Sequence, residues 1–383
     1  MLVLAVFLLL VLGIVAGCGT SSGNGSGEDA NYYTFGVAAP ITGNYAEFGK
    51  GFQVATQMAA DKINAAGGIN GKEIKLVVED SKGNTKESTE IARKFAQDDN
   101  ILAVVGDFTS SSAMATAPIY EEAGLVQLSP TASHPDYAAM NEYMFGIMGR
   151  QDGEGPFVAE YMLQEYMGAK TVGIIYLNTD WGLSAYNNVA EKAATIGLEI
   201  TAAEPHGDGE KDFSASLTKI RQTNPDTILL VTMYNEVILA AKQIKQMGWD
   251  VKVATLGPGM SQQIIDLGSS NVEGLIASTP FVVEADDTAA VEFAAEFEQL
   301  AGFSANVHAA CAYDAVMLLA GAIESSKTVD RENIRAALAA TSGFIGITGP
   351  IQFNPAGDIT RKYRIISIED GQWAVKTDYD YVQ

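Results

Sequence analysis

Short, unbroken apolar runs alternate with longer stretches in which apolar positions recur every three or four residues. FGVAAP, IKLVVED, ILAVVGD and LVQLSP read as strands. They are apolar continuously rather than at every second residue, which suits parallel strands covered on both faces. Between them, residues 47–65 place Ala55, Met58, Ala59 and Ile63 on one helical face and stop at Gly67-Gly68. TKESTEIARKFAQDD and SSSAMATAPIYEEAG read as two more helices. The pattern then restarts. GEGPFVAEYMLQEYM, WGLSAYNNVAEKAATIG, DFSASLTKIRQTN and NEVILAAKQIKQMG predict helices, and TVGIIYL, EITAAEP, TILLVTM and KVATLG predict strands. Helices follow at 287–300, 306–323 and 330–339, then IGITGPIQF and the two-strand signal YRIISIEDGQWAVK, turning at Asp370-Gly371. The expectation is an α/β protein of two doubly wound parallel-sheet units, with no short-period repeat.

A chain of 383 residues, 47% of them hydrophobic, is long enough for two such units. The formal charge of −23 argues against a nucleic-acid partner, because phosphates would be repelled. Residues 1–17 are almost wholly apolar and lead to Val15-Ala16-Gly17-Cys18, the pattern of a lipoprotein signal whose cleavage leaves a lipidated Cys18. No Lys or Arg precedes the run, which departs from that pattern. Residues 18–31 are a Gly/Ser-rich tether. An uncleaved membrane anchor is the plainer reading; both put the rest of the chain outside the cytoplasm. With Cys18 lipidated, Cys311 has no partner, and its apolar helical setting makes it a small core residue.

Ligands of open α/β sheets bind beyond the carboxyl ends of the strands. Those ends read PITGNYAEFG, GDFTSSS and SPTAS in the first half, and NTDWG, TMYNE and TLGPGM in the second. The first set offers hydroxyls and helix N-termini, which suit a carboxylate. The second offers Trp181, Met233 and Tyr234, which suit an apolar body. Taken singly, the hydroxyls of Thr109–Ser112 could cap a helix, Ser129 and Ser133 could build a turn, and Trp181 and Phe48 could be packing. Their common edge favours a small amphipathic ligand held between two lobes. Catalysis is disfavoured: His134, His206 and His308 are scattered, and neither metal-ligand spacing, a G-x-S-x-G elbow nor a phosphate-binding glycine loop follows a strand. No cofactor is expected.

PITGNYAEFGKG, the AAGGINGKEIKLVVED stretch, VVGDFTSSSAMATAPIYEEAGLVQLSPTAS, GEKDFSASLTKI and the YDAV near 313 resemble the leucine/isoleucine/valine-binding proteins over roughly residues 32–380. These are the extracellular receptors of branched-chain amino acid ABC importers. The resemblance implies a type I periplasmic binding protein fold with three crossovers between lobes, placed near 150, 280 and 350. One lobe would hold 32–150 and 281–350, the other 151–280 and 351–383. It implies partnership with ABC permease subunits, with membrane contact through the N-terminal lipid. It places the ligand carboxylate at Ser110, Ser133 and the Thr131–Ala132 backbone. Phe48 would lie above the ligand side chain, with Trp181, Met233, Tyr234 and His308 along the walls. One departure stands out. The family's acidic residue in a G-P-E-G turn, which holds the ligand ammonium, has no counterpart in TLGPGM. Burying an unpaired ammonium costs several kcal/mol. Either Glu236 or another acid serves instead, or the ligand lacks an ammonium. Receptors for amides or aromatic acids, and a ligand-sensing module for a separate signalling partner, remain open on the sequence.

Overall fold

The computed structural model describes residues 31–382; the apolar run, Cys18 and nearly all of the tether lie outside the described residues. β1 (Tyr32–Ala39), β2 (Glu73–Asp80), β3 (Ile101–Val105), β4 (Val126–Ser129) and β5 (Met144–Gly146) form a parallel sheet in the order β2-β1-β3-β4-β5. α1 (Ala46–Ala65), α2 (Thr85–Gln97) and α3 (Ser110–Glu122) connect its strands.

Both faces of this sheet are apolar, for a reason visible in β1. Phe35 and Val37 point to one face and join the core beneath α1; Ala38 points to the other and packs with Ile91 and Phe95 of α2 and Ala113 of α3. Gly36 is small of necessity, since a Cβ there would meet the Phe95 ring at 2.8 Å.

A second sheet takes β6 (Thr171–Leu177), β7 (Glu199–His206), β8 (Thr227–Val231), β9 (Lys252–Leu256) and β10 (Ile276–Thr279), all parallel to their neighbours within this set. α4 (Gln151–Phe157), which runs on as π-type turns to Tyr166, precedes it; α5 (Asp180–Ile196), α6 (Ser214–Gln222), α7 (Tyr234–Gln246) and α8 (Gln262–Gly268) link its strands. The chain then returns to the first sheet. α9 (Thr288–Ala301) and α10 (Val307–Ser325) pack on α1, and α11 (Arg331–Ala339) lies near β3 and β4. A short antiparallel pair follows, β11 (Phe344–Gly346) with β12 (Gly349–Ile351). Finally β13 (Lys362–Glu369) and β14 (Gln372–Val382) extend the second sheet, giving the order β14-β13-β10-β9-β8-β6-β7. Asp370 and Gly371, both at positive φ, make the tight turn between them.

Among the described residues the chain thus passes between the sheets three times, at 147–150, 280–287 and 352–361. The periodicity reading did not resolve β5, β10 or α8. Strands of three and four residues and a helix of seven are too short to establish a period. α10 is long and apolar enough to span a membrane, but most of it is buried in the core. Cys311, on this helix, is fully buried, and burial pushes its thiol up to about 12, where it stays protonated and inert.

Candidate functional site

A cavity of about 270 Å³ lies between the two sheets, walled by the segments that leave the carboxyl ends of their strands. The wall from the first sheet is polar. After β3, Thr109 caps α3, its Oγ1 accepting from the Ser112 N–H at 3.2 Å. Thr109, Ser110 and Ser111 all line the cavity, while Ser112 is buried outside the lining. After β4, the Ser129 hydroxyl accepts from the Ala132 N–H at 2.9 Å and donates to the Asp107 carbonyl at 2.9 Å. That turn brings Thr131 and Ser133 to the cavity. The two loops are clipped together. Ser110 Oγ accepts from the Ser133 and His134 N–H groups at 3.3 and 3.4 Å, and Thr131 Oγ1 donates to the Phe108 carbonyl at 2.7 Å. Behind them Asp107 accepts from the Ser81 and Ser88 hydroxyls; burial raises its pKa to about 6.

Over this polar wall sits an aromatic stack. Phe108 lines the cavity and stacks on Phe48 with ring centroids 4.9 Å apart. His308 packs 4.7 Å from Phe48 and also lines the cavity. Burial pushes the His308 imidazole down to about 3, so it is a neutral wall at physiological pH. The wall from the second sheet has an apolar part, which includes Leu177, Trp181 and Met233. Trp181 stands in the first turn of α5, fixed by the Thr179 cap on Gly182 N–H at 3.3 Å and by Gln151 Nε2, which donates to the Trp181 carbonyl at 3.0 Å.

Of the residues anticipated from sequence, Ser110, Thr131, Ser133, Trp181, Met233 and His308 share the cavity wall. Four do not. Phe48 lies behind Phe108, which takes the exposed face of the stack. The Ala132 N–H is spent on Ser129, and its side chain packs in the core between the sheet and α2–α3. Tyr234 turns toward Phe48, ring centroids 5.5 Å apart. Glu236 is buried outside the lining, with Oε1 accepting from the Gly209 N–H at 3.1 Å and Oε2 without a hydrogen-bond partner.

Two acids line the cavity instead. Asp208 lies across the cleft from the Tyr45 hydroxyl, whose pKa its charge helps to raise. Glu154, one turn into α4 and 7% exposed, accepts from the Ser278 hydroxyl at 2.8 Å and lies near the Gly257 N–H. Burial raises the Glu154 carboxyl to about 7. Among the described residues no Lys or Arg lines the cavity, and no group of three His, Cys, Asp or Glu could hold a metal ion.

The periplasmic binding protein family matches residues 33–372. The chain belongs to that family. This periplasmic binding protein is 27% identical over 324 residues to the Leu/Ile/Val-binding protein homolog 1 of Brucella abortus, covering 84% of this chain and 86% of that one. Its fold is similar to that of the branched-chain amino acid transporter substrate binding protein LivJ of Streptococcus pneumoniae, solved with isoleucine (TM-score 0.84, 26% identity, 90% of this chain and 99% of that one). It also shares its fold with a solute-binding protein of an ABC transporter from R. palustris, solved with benzoate (TM-score 0.82, 18% identity, 91% and 98%). It is a transporter-type solute-binding protein of the branched-chain amino acid class, not an enzyme, and its family works outside the cytoplasm.

Phe108 and Glu154, both in the cavity wall, escape the reading of strand ends for different reasons. Phe108 stands in GDFTSSS in plain view, but the hydroxyls beside it dominate that stretch. Glu154 is not at a strand end at all. Its one sequence signal is an acid between two glycines at the start of an apolar helix. Gly155 explains why that helix can come so close to α5, since a Cβ there would fall 2.5 Å from the Asn188 Cβ.

Proposed function

We propose that this protein is a lipid-anchored receptor that captures a small carboxylate-bearing solute between its lobes and passes it to the permease of an ABC importer. The carrying observation is the opposition of the two cavity walls. Ser110, Thr131 and Ser133 gather at the N-terminus of α3 on one side, and Leu177, Trp181 and Met233 line the other. Hydroxyls and unpaired helix N–H groups receive an anion; the apolar wall receives its body. Isoleucine and benzoate, the ligands of two relatives, both have this form. The moving bodies of this reading are 32–150 with 281–350 and 151–280 with 351–383, hinged at the three passages between sheets. Cys18 carries the lipid.

The test is a melting screen, since a ligand that binds only the folded state raises the apparent stability. L-leucine, L-isoleucine, L-valine, benzoate and the matching amides are the probes. A rise with one or more of the carboxylates supports the reading. A rise with amides alone overturns the carboxylate cradle.

A further inference from the structure

Building on that receptor reading, we infer that Glu154 is the group that recognises a ligand ammonium, which makes the solute an α-amino acid rather than a plain carboxylic acid. Four observations carry this. Glu154 is one of two acids in the cavity wall, and the other, Asp208, faces Tyr45 of the opposite lobe. The Glu154 side chain is held rather than loose: Oε1 takes the Ser278 hydroxyl at 2.8 Å, on a residue that is itself fully buried. The carboxyl reaches the turn after β9, near the Gly257 N–H, and that turn has no acid of its own. Nor has Gly259 room for one, because a Cβ there would lie 2.0 Å from Thr255 Oγ1.

The fourth observation is a spacing. The first N–H of α4, on Gln151, donates to the Ser133 carbonyl at 2.9 Å, so this helix begins at the serine wall. Glu154 follows three residues later, about 4.5 Å along the helix axis. A carboxylate at Ser133 and an ammonium on the adjacent carbon of the same ligand would meet the two ends of that step. A carboxylate buried without a counter-ion is costly, and the cavity wall supplies none: it holds no Lys or Arg, and His308 stays neutral. The ligand's own ammonium completes the pair.

The experiment titrates L-isoleucine, its des-amino counterpart 3-methylpentanoate, and benzoate into the full-length protein and into Glu154→Gln, with melting curves to verify folding. Wild type is expected to prefer L-isoleucine. Glu154→Gln is expected to weaken it by about 30-fold or more, the usual effect of removing one member of a buried charge pair. The same change should leave 3-methylpentanoate unweakened, an outcome that a purely structural role does not produce. Should Glu154→Gln fail to fold, Ser278→Ala keeps the carboxylate and must retain the preference for L-isoleucine. Equal loss for both ligands, no loss for L-isoleucine, or wild-type binding of benzoate or 3-methylpentanoate alone overturns the assignment of Glu154 and leaves the receptor reading standing. Binding of none of the three probes overturns both.

Discussion

Asn235 of α7 donates its side-chain amide to the Asn44 carbonyl, before α1, at 3.2 Å, joining opposite walls of the cleft. The next residue, Tyr45, brings its hydroxyl toward Asp208 on the same facing lobe. These polar clasps hold the two lobes together at the rim of the cavity, so they contribute to ligand affinity only in the arrangement that encloses the ligand.

Tyr45→Phe tests the clasp cleanly. It keeps the ring, which packs 5.6 Å from Phe108, and removes only the hydroxyl. A bond to a charged group is worth about 1.5–3 kcal/mol. Affinity for whichever probe raises the melting temperature should fall about tenfold or more by calorimetry. Small-angle scattering at fixed ligand concentration should shift toward the open form. Unchanged affinity would mean the clasp is incidental.

The serine stretch separates into three roles that mutation can tell apart. Ser110→Ala should weaken carboxylate binding about tenfold, through loss of a hydroxyl in the cavity wall and of the clip to the 131–134 loop. Thr109→Ala should cost about 1 kcal/mol of stability by removing the cap of α3. Ser112→Ala should leave affinity unchanged, because this residue is outside the lining. Calorimetry and denaturant titration on all three variants check the assignment; equal effects on affinity would reduce the stretch to a helix cap.

Amino acid binding should depend on pH through Glu154. Its carboxyl, raised to about 7 by burial, changes protonation state around neutral pH. Ser278 from β10 and the Gly257 N–H after β9 act on it, and no charged side chain among the described residues is a cause of the shift. His308 does not titrate in this range, since burial holds it down to about 3. Asp358, also raised to about 7, sits beside Gly146 and is not in the lining. An ammonium pairs only with the ionised form. Affinity for L-isoleucine should therefore be full above about pH 7 and fall as the pH drops through 7, by up to about tenfold per unit. A des-amino acid should show the opposite slope, since it is repelled by the ionised form. Titrations from pH 5.5 to 8.5 (roughly 1.5 units either side of that midpoint) should show both slopes in wild type and neither in Glu154→Gln.

Lipidation is tested in a host that processes lipoproteins. Cys18→Ser should abolish fatty-acid labelling and release the protein from membranes; labelling that survives the change would rule out Val15-Ala16-Gly17-Cys18 as the processing site.

Much of this protein follows from its sequence alone, because the forces involved are local or repetitive. Unbroken apolar strands such as ILAVV announce a sheet buried on both faces, and β3 is one. Gly67-Gly68 ends α1 and Asp370-Gly371 turns a hairpin because those backbones need positive φ, which the structure shows at all four residues. The strand-end rule also led from GDFTSSS and SPTAS to a polar wall, since a loop leaving a parallel strand must emerge at that edge. What the sequence could not decide is which of several neighbouring side chains faces inward. Phe48 and Phe108 are equally apolar; only their stacking puts Phe108 in front. Glu236 and Glu154 are both acids in the first turns of helices. The rotation of α7 turns Glu236 out of the lining toward Gly209, whereas the close approach of α4 to α5, allowed by Gly155, brings Glu154 to Ser278, 124 residues away in the chain. Helix rotation and interhelix distance are set by the whole core packing at once, and no local pattern of residues encodes them.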